Sequence, residues 1–389
     1  MTANQTARAP RTRSTRRQGL FFTKGGMDMP FFVILLAVLA VGLICLYSAS
    51  YAYAYSQNDG DSYFYISKQL LFALGGIVAM VAVSYVNYQI WHRLAIPLMG
   101  IAVILLVVVL LLPAQNGIHR WIRMPGIQFQ PSEIAKFALI LLFAHLISLN
   151  HKRMNTFKNG FVPFLLILGV VCFLVFEEPH LSGTMLLLSI GLVMMYVGGT
   201  RRIYLAGIIL LGAAAVFLMV GVMGYEQDRI AVWRDPLGVF EVDRDQAWQT
   251  VQSLYAIGSG GLMGQGLGNS RQKHLFLPEP QNDFIFSVIC EELGLIGAVL
   301  VIALFGLLVW RGFVIGMRAK DKFGSMLAIG LTAQVGIQVL LNIAVVTNTI
   351  PNTGISLPFF SYGGTSLMML LAQMGIVLSI SRQSHVKEE

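Results

Sequence analysis

The stretch FFVILLAVLAVGLICLY, residues 31–47, decides the fold. It carries no charge, and with its flanks it fills residues 30–50, the length a helix needs to cross about 30 Å of hydrocarbon. Further apolar runs follow near 66–86, 94–112, 131–149, 161–177, 182–199, 203–224, 283–310, 325–347 and 355–381. The chain of 389 residues is 56% hydrophobic and only 12% charged, where a soluble domain carries about a quarter charged residues. A transmembrane β-barrel would show alternating hydrophobicity in segments of about ten residues, and none occur. The expected fold is an all-α polytopic membrane protein of about ten transmembrane helices. A cleaved signal peptide is the alternative for the first run, given Ser48–Ala49–Ser50, but the apolar region is too long for one.

A formal net charge of +8 raises the question of nucleic acid, and its distribution argues against that partner. Arg8, Arg11, Arg13, Arg16, Arg17 and Lys24 all precede the first span, in a tail suited to anionic lipid heads. Threading ten spans with the N-terminus inside places 18 basic residues on the inner side and 8 on the outer, in the sense of the positive-inside rule. Both termini are then expected in the cytoplasm, as a basic tail 1–28 and a short tail 383–389 around a membrane domain 29–382. One large loop, 225–282, falls outside between spans seven and eight. Loops of that length are functional or disordered. Ala247, Val251, Leu254 and Tyr255 recur at helical spacing, which favours an ordered amphipathic helix on the membrane surface or over the bundle. Cys45, Cys172 and Cys290 lie in apolar runs without metal-ligand spacing and read as core residues, so no protein-built metal site is expected.

The loop ends in LPEPQNDFIFSVICEELG, 277–294, which holds three acids around a helix start. Asp283 stands where a Pro-punctuated approach turns into a helical pattern. There it can cap the helix, act as a general base on the outer face, or do both. Glu291 and Glu292 fall about 12–13 Å further along, on different helix faces. Carboxylates at membrane depth face a cavity, the bundle interior or a cation. These two therefore read first as a polar network and second as a substrate contact.

FQPSEIAKFALI, 129–140, opens the fourth span at Pro131, with Glu133 and Lys136 sharing a face at i,i+3. They form a local ion pair with a snorkelling lysine, or they present a cation to an anionic substrate. FEEPHLSG, 176–183, packs Glu177, Glu178 and His180 into a tight hairpin. Gln334, Gln338 and Asn342 make one polar stripe, as interhelical hydrogen bonding requires. ISLPFFSYGGTS, 355–366, breaks the last span at Pro358 and Gly363–Gly364. Broken backbone at membrane depth is buried in protein or lines a cavity, and Ser361 within it is a candidate substrate contact. GSGGLMGQGLGNSRQKH, 258–274, lacks the strand context and G-K-[ST] ending of nucleotide loops. Gly-rich backbone can still form an anion nest, and Arg271, Lys273 and His274 follow at once.

Together these motifs resemble the SEDS family of polytopic membrane proteins (FtsW, RodA and SpoVE). GLMGQGLGNSRQKHLFLPEPQNDFIFSVICEELG is similar to its signature outer loop and following helix, IPNTGISLPFFSYGGTSL to its C-terminal motif, and FQPSEIAKFALI to its fourth span. The resemblance runs over about residues 25–385 and favours the FtsW/SpoVE branch, while EEPHLSG departs from the family's QPDLG-type wording. It implies a peptidoglycan glycosyltransferase polymerising lipid II on the outer face of the cytoplasmic membrane, in septal or spore wall synthesis. The family's essential Asp falls on Asp283, the expected base, with polyprenyl diphosphate as leaving group. Glu133, Lys136, Arg271, Lys273, His274, Glu292 and Ser361 are the candidate substrate contacts, and a divalent cation, Mg or Mn, is admitted as a helper. The implied partners are lipid II, the nascent glycan, a cognate class B penicillin-binding protein (a transpeptidase) and other divisome membrane proteins. A lipid II flippase, favoured by the charges at membrane depth, and a non-catalytic division scaffold, for which Asp283 would be dispensable, are the rival readings.

Overall fold

The computed structural model describes residues 25–384 apart from 114–119, 125–126, 180, 222–223 and 225–226. The basic tail Arg8 to Lys24, His180 and residues 385–389 lie outside the described residues. In hydrocarbon every backbone N–H and C=O must be paired within its own segment, and the apolar runs accordingly become helices. In chain order they are α1 (Met29–Gln57), α2 (Phe64–Tyr85), α3 (Gln89–Leu111), α4 (Pro131–Asn150), α5 (Phe157–Gly160), α6 (Val162–Glu177), α7 (Leu181–Gly198) and α8 (Arg202–Gly221). The long loop holds α9 (Gln227–Arg234), α10 (Pro236–Val242) and α11 (Arg244–Gly260), and α12 (Ile285–Met317), α13 (Lys322–Val346) and α14 (Gly364–Ser384) follow. Between α3 and α4, β1 (Ile122–Met124) and β2 (Ile127–Phe129) form a small antiparallel hairpin with Ile122 opposite Phe129.

Among the described residues nine helical segments are long and apolar enough to cross a membrane. The expected seventh span is α8, whose apolar stretch Arg202–Ala215 is shorter. Burial sorts the bundle into centre and shell. The apolar windows of α4, α13 and α14 are 67% buried within the protein, against 28% for α2, α3 and α12. The first three are therefore the centre and the others face lipid. α14 packs on α2, α13 on α12 and α4, and α1 on α12.

The long loop is ordered over the bundle. Asp243 caps α11 by accepting from Gln246 N at 3.3 Å. The helix buries Ala247 and Val251 as expected, while Leu254 is half-buried and Tyr255 is exposed. It packs along α12, where Ser253 Oγ meets Ser287 Oγ at 2.7 Å, and the Ser253 hydroxyl donates to Val346 O at the end of α13 at 2.9 Å.

Two spans are interrupted. In α12 the chain turns left-handed at Gly294 (φ 66°, ψ −169°), and the Gly-rich loop supplies the missing partners. Leu295 N donates to Gly261 O at 2.9 Å and Ile296 N to Leu262 O at 3.2 Å, while Gln265 N and Gly266 N donate to Glu291 O and Glu292 O, each at 2.9 Å. The last span is half loop, as Pro358 and the paired glycines foretold: α14 starts only at Gly364. Ile355, Leu357, Phe359 and Phe360 of the irregular half are sealed in the core. At the end of the bundle opposite the long loop, Asp28 caps α1 through Phe31 N at 3.0 Å and receives both arms of Arg311, at 2.9 and 2.8 Å.

Candidate functional site

Asp283 lies just ahead of α12 but caps nothing, since the helix begins at Ile285 without a side-chain cap. Of the two roles open to it, the structural one is not taken, and the half-buried carboxylate stays available. Its main chain is held firmly. The Asn342 amide on α13 donates to Asp283 O at 2.8 Å and to Ile355 O at 2.6 Å, tying the loop to the irregular half of the last span. Gly354 closes beside the carboxylate with φ 67°, and a Cβ there would stand 3.0 Å from Asp283 Oδ2. Burial pushes the Asp283 carboxyl up to about 6, the negative charge of Glu279 adds to the push, and Arg120 opposes it.

Arg120 and Glu279 were not singled out from sequence. Arg120, just before β1, donates from Nε to Glu178 O at 3.3 Å and from its other arm to Pro179 O. The Glu178 side chain is fully buried, neither carboxyl oxygen has a hydrogen-bond partner, and burial pushes it up to about 8 against the pull of Arg120. The shift favours the protonated form of Glu178, and Arg120 is in electrostatic reach of both Glu178 and Asp283. Glu279 is exposed, sits in the left-handed region at φ 46°, and accepts from Asn282 Nδ2 at 2.9 Å. Left-handed backbone in a residue with a Cβ costs about 1–2 kcal/mol, and such strain gathers at functional sites. A signal for Glu279 existed: an acid between two prolines in LPEPQND cannot join a helix, so the chain must turn immediately before Asp283.

The other expected residues divide. Lys136 Nζ donates to Glu133 Oε1 at 2.7 Å, and Lys136 is buried. Glu133 lines a small polar cavity of ≈ 20 Å³ with Gln334, Gln338, Ser356, Ser361 and Gln373, which is where the interrupted last span implied one. That volume holds about one water. Ser361 is a clamp rather than an open contact, since its hydroxyl accepts from Leu357 N and donates to Asn282 O, both at 2.7 Å.

Lys273 and Glu292, expected as substrate contacts, are both enclosed and paired with each other. Lys273 is 0% exposed, and its Nζ donates to Glu292 Oε1 at 2.6 Å and Ser48 Oγ at 3.2 Å while lying 4.7 Å over the Tyr51 ring. Ser48 also donates to Glu292, at 2.6 Å. Glu291 is held by the Ser270 hydroxyl at 2.5 Å and by Arg271 N at 2.9 Å. The Gly-rich loop is therefore an anion nest, as its composition allowed, but its anions are the protein's own carboxylates. The Arg271 side chain lines a separate cavity of ≈ 420 Å³ beside Tyr255 and Gln265, and the exposed His274 leans edge-on against Tyr51. Among the described residues no three His, Cys, Asp or Glu side chains gather as a metal-ligand set.

The chain matches the FtsW/RodA/SpoVE family, described as cell cycle proteins, over residues 28–386. It is 41% identical over 368 residues to Stage V sporulation protein E of Bacillus subtilis, spanning 93% of this chain and 98% of that protein. It is 38% identical to the probable peptidoglycan glycosyltransferase FtsW of Trichlorobacter lovleyi, spanning 91% and 93%. Among solved structures, a chain from a peptidoglycan synthase complex that coordinates polymerization and crosslinking superposes with a TM-score of 0.77 at 25% identity, covering 93% of this chain and 99% of that one. The rod shape determining protein RodA of Thermus thermophilus superposes at 0.68 with 26% identity and the same coverage.

Proposed function

Since the chain belongs to the FtsW/RodA/SpoVE family of cell cycle proteins, we propose that it is a peptidoglycan glycosyltransferase polymerising lipid II, with Asp283 as the general base. The observation that supports this most is the Asp283 carboxylate itself. It caps no helix, its backbone is locked, Gly354 leaves room beside it, and burial raises its basicity. A base with a pKa near working pH is the effective kind.

The acceptor sugar's 4-hydroxyl gives its proton to Asp283 as its oxygen bonds to the anomeric carbon of the donor. The bond from that carbon to the lipid diphosphate breaks, and the polyprenyl diphosphate leaves with the electron pair. Attack opposite the leaving group inverts the anomeric centre, so no second nucleophile is needed. Arg120, in electrostatic reach of Asp283, stabilises the charge that develops on the diphosphate. A magnesium or manganese ion, if bound, would have Asp283 and Glu279 as the nearby carboxylates and would offset the charge of the leaving diphosphate. In this reading both termini are cytoplasmic, the long loop is extracytoplasmic, and a class B penicillin-binding protein crosslinks the product at the septum or spore wall. Of the features that favoured a flippase, the charges are engaged in pairs, Lys136 with Glu133 and Lys273 with Glu292, while the interrupted last span is present.

Purified protein with its penicillin-binding-protein partner is given lipid II in detergent, where the membrane has no sides to flip between. Glycan strands are expected from the wild type and none from Asp283→Asn. Strands made by Asp283→Asn at the wild-type rate would overturn the assignment.

A further inference from the structure

Three tyrosines from three separate elements come together: Tyr53 late in α1, Tyr65 at the start of α2, and Tyr362 just before α14, the last bonded through its backbone to the segment leading into Asp283. Ring centroids lie 6.2 Å apart for Tyr53 and Tyr65, and 4.9 Å apart at 80° for Tyr65 and Tyr362. All three are half-buried. Glu279 lies in electrostatic reach of Tyr53 and Tyr65 as well as of Asp283.

The cluster is keyed to the base. Tyr362 N donates to Gln281 O at 2.8 Å, and Ser361 Oγ donates to Asn282 O at 2.7 Å. Buried Gln69 on α2 donates to Ser361 O at 3.2 Å and accepts from Gly363 N at 3.1 Å. Tyr65 and Tyr362 cannot shift relative to Asp283 without breaking these bonds. Interface tyrosines elsewhere behave differently: Tyr55 and Tyr63 are 63% and 61% exposed, as an aromatic belt facing lipid heads requires.

A sugar ring presents an apolar C–H face and a rim of hydroxyls. Aromatic rings suit the face, and a carboxylate accepts from the rim. The charges also sort the ligand's parts. Negative Glu279 stands on the tyrosine side and repels a diphosphate, whereas positive Arg120 is anchored at Glu178 and Pro179.

We propose that Tyr53, Tyr65, Tyr362 and Glu279 form a saccharide subsite that holds the N-acetylhexosamine ring of the growing strand next to the one reacting at Asp283. The assignment rests on the glycosyltransferase reading above. It is tested by titrating the full-length protein in detergent with a soluble GlcNAc–MurNAc tetrasaccharide, followed by saturation-transfer NMR, and by measuring strand lengths made from lipid II. Tyr65→Ala and Tyr362→Ala each weaken tetrasaccharide binding about tenfold and shorten the strands. Tyr65→Phe and Tyr362→Phe keep the ring and stay near wild type, as does Tyr55→Ala on the lipid side. Glu279→Gln, at an exposed position, weakens binding severalfold and serves even where an alanine variant fails to fold. Tetrasaccharide bound equally by wild type and the alanine variants, or not bound by wild type, overturns the subsite while leaving Asp283 as base. The glycosyltransferase reading has its own arm, since Asp283→Asn is expected to bind the tetrasaccharide normally and make no strand.

Discussion

Replacing Lys273 by methionine keeps the aliphatic stem and deletes the charge, and the outcome follows from the enclosure of its partner. Glu292 is 2% exposed, and without Lys273 it retains only the Ser48 hydroxyl and a long bond from Ser270 N at 3.4 Å. Stranding one half of a buried pair costs about 3–5 kcal/mol. Unfolding entropy of about 2.1 cal/mol/K per residue gives roughly 0.8 kcal/mol/K for 389 residues. Lys273→Met should therefore lower the thermal midpoint by about 4–6 °C, read by fluorescence-detected size exclusion after heating in detergent. Lys273→Met combined with Glu292→Gln removes the stranded charge and should recover a good part of that loss. Well below the midpoint, the single variant should still polymerise lipid II within a few-fold of wild type. An unchanged midpoint with polymerisation abolished would make Lys273 a substrate contact and refute the reasoning.

Three other perturbations are sharp. Burial pushes the Glu178 carboxyl from the usual carboxylate range up to about 8 in the folded chain, so the folded state binds more protons across that window and stability falls as pH rises through it. Glu178→Gln should be the more stable form at pH 8, with a flat profile there, as thermal scans from pH 5 to 9 will show. Asp283 must be ionised to act, so kcat should climb with pH through a limb near 6. Glu279→Gln, which removes the neighbouring negative charge, should move that limb to lower pH, and an unmoved limb would remove Glu279 from the site. Gly354→Ala forces a Cβ into left-handed backbone and against Asp283 Oδ2. It should cost about 1–2 kcal/mol of stability and depress kcat more than the apparent KM in a lipid II titration.

The helices were legible because hydrocarbon leaves the chain one way to satisfy its backbone, and an uncharged run such as Phe31–Tyr47 declares that length directly. The interruption at Pro358 and Gly363–Gly364 was legible for the same reason. The partnerships of charged residues were not. A glycine-rich loop followed by Arg271, Lys273 and His274 has the composition of an anion site whether the anion is foreign or internal. Only the packing of that loop along α12 shows that it closes on Glu291 and Glu292. Arg120 escaped notice because its role depends on carbonyls at Glu178 and Pro179, more than fifty residues away in sequence. Asp283 was found through motif and position. That it caps nothing could be learned only from the helix boundary.

The ion pair and the hydrogen bond that join α1 to α12 also act as a ruler. Along α1, Asp28 and Ser48 are about 30 Å apart at 1.5 Å per residue. Along α12, Arg311 and Glu292 are separated by about 29 Å if the irregular step at Gly294 is counted as helix, and the contacts Asp28–Arg311 and Ser48–Glu292 close the rectangle. Its height equals the thickness of a bilayer's hydrocarbon layer, about 30 Å. Glu291 and Glu292 then fall near the edge of a layer of that thickness, and Asp283, ahead of the helix start at Ile285, lies beyond them toward the long loop. With both corners pinned, α1 and α12 cannot slide past each other. A bilayer of another thickness must be met by tilting the whole body, which carries the base and its neighbours with it.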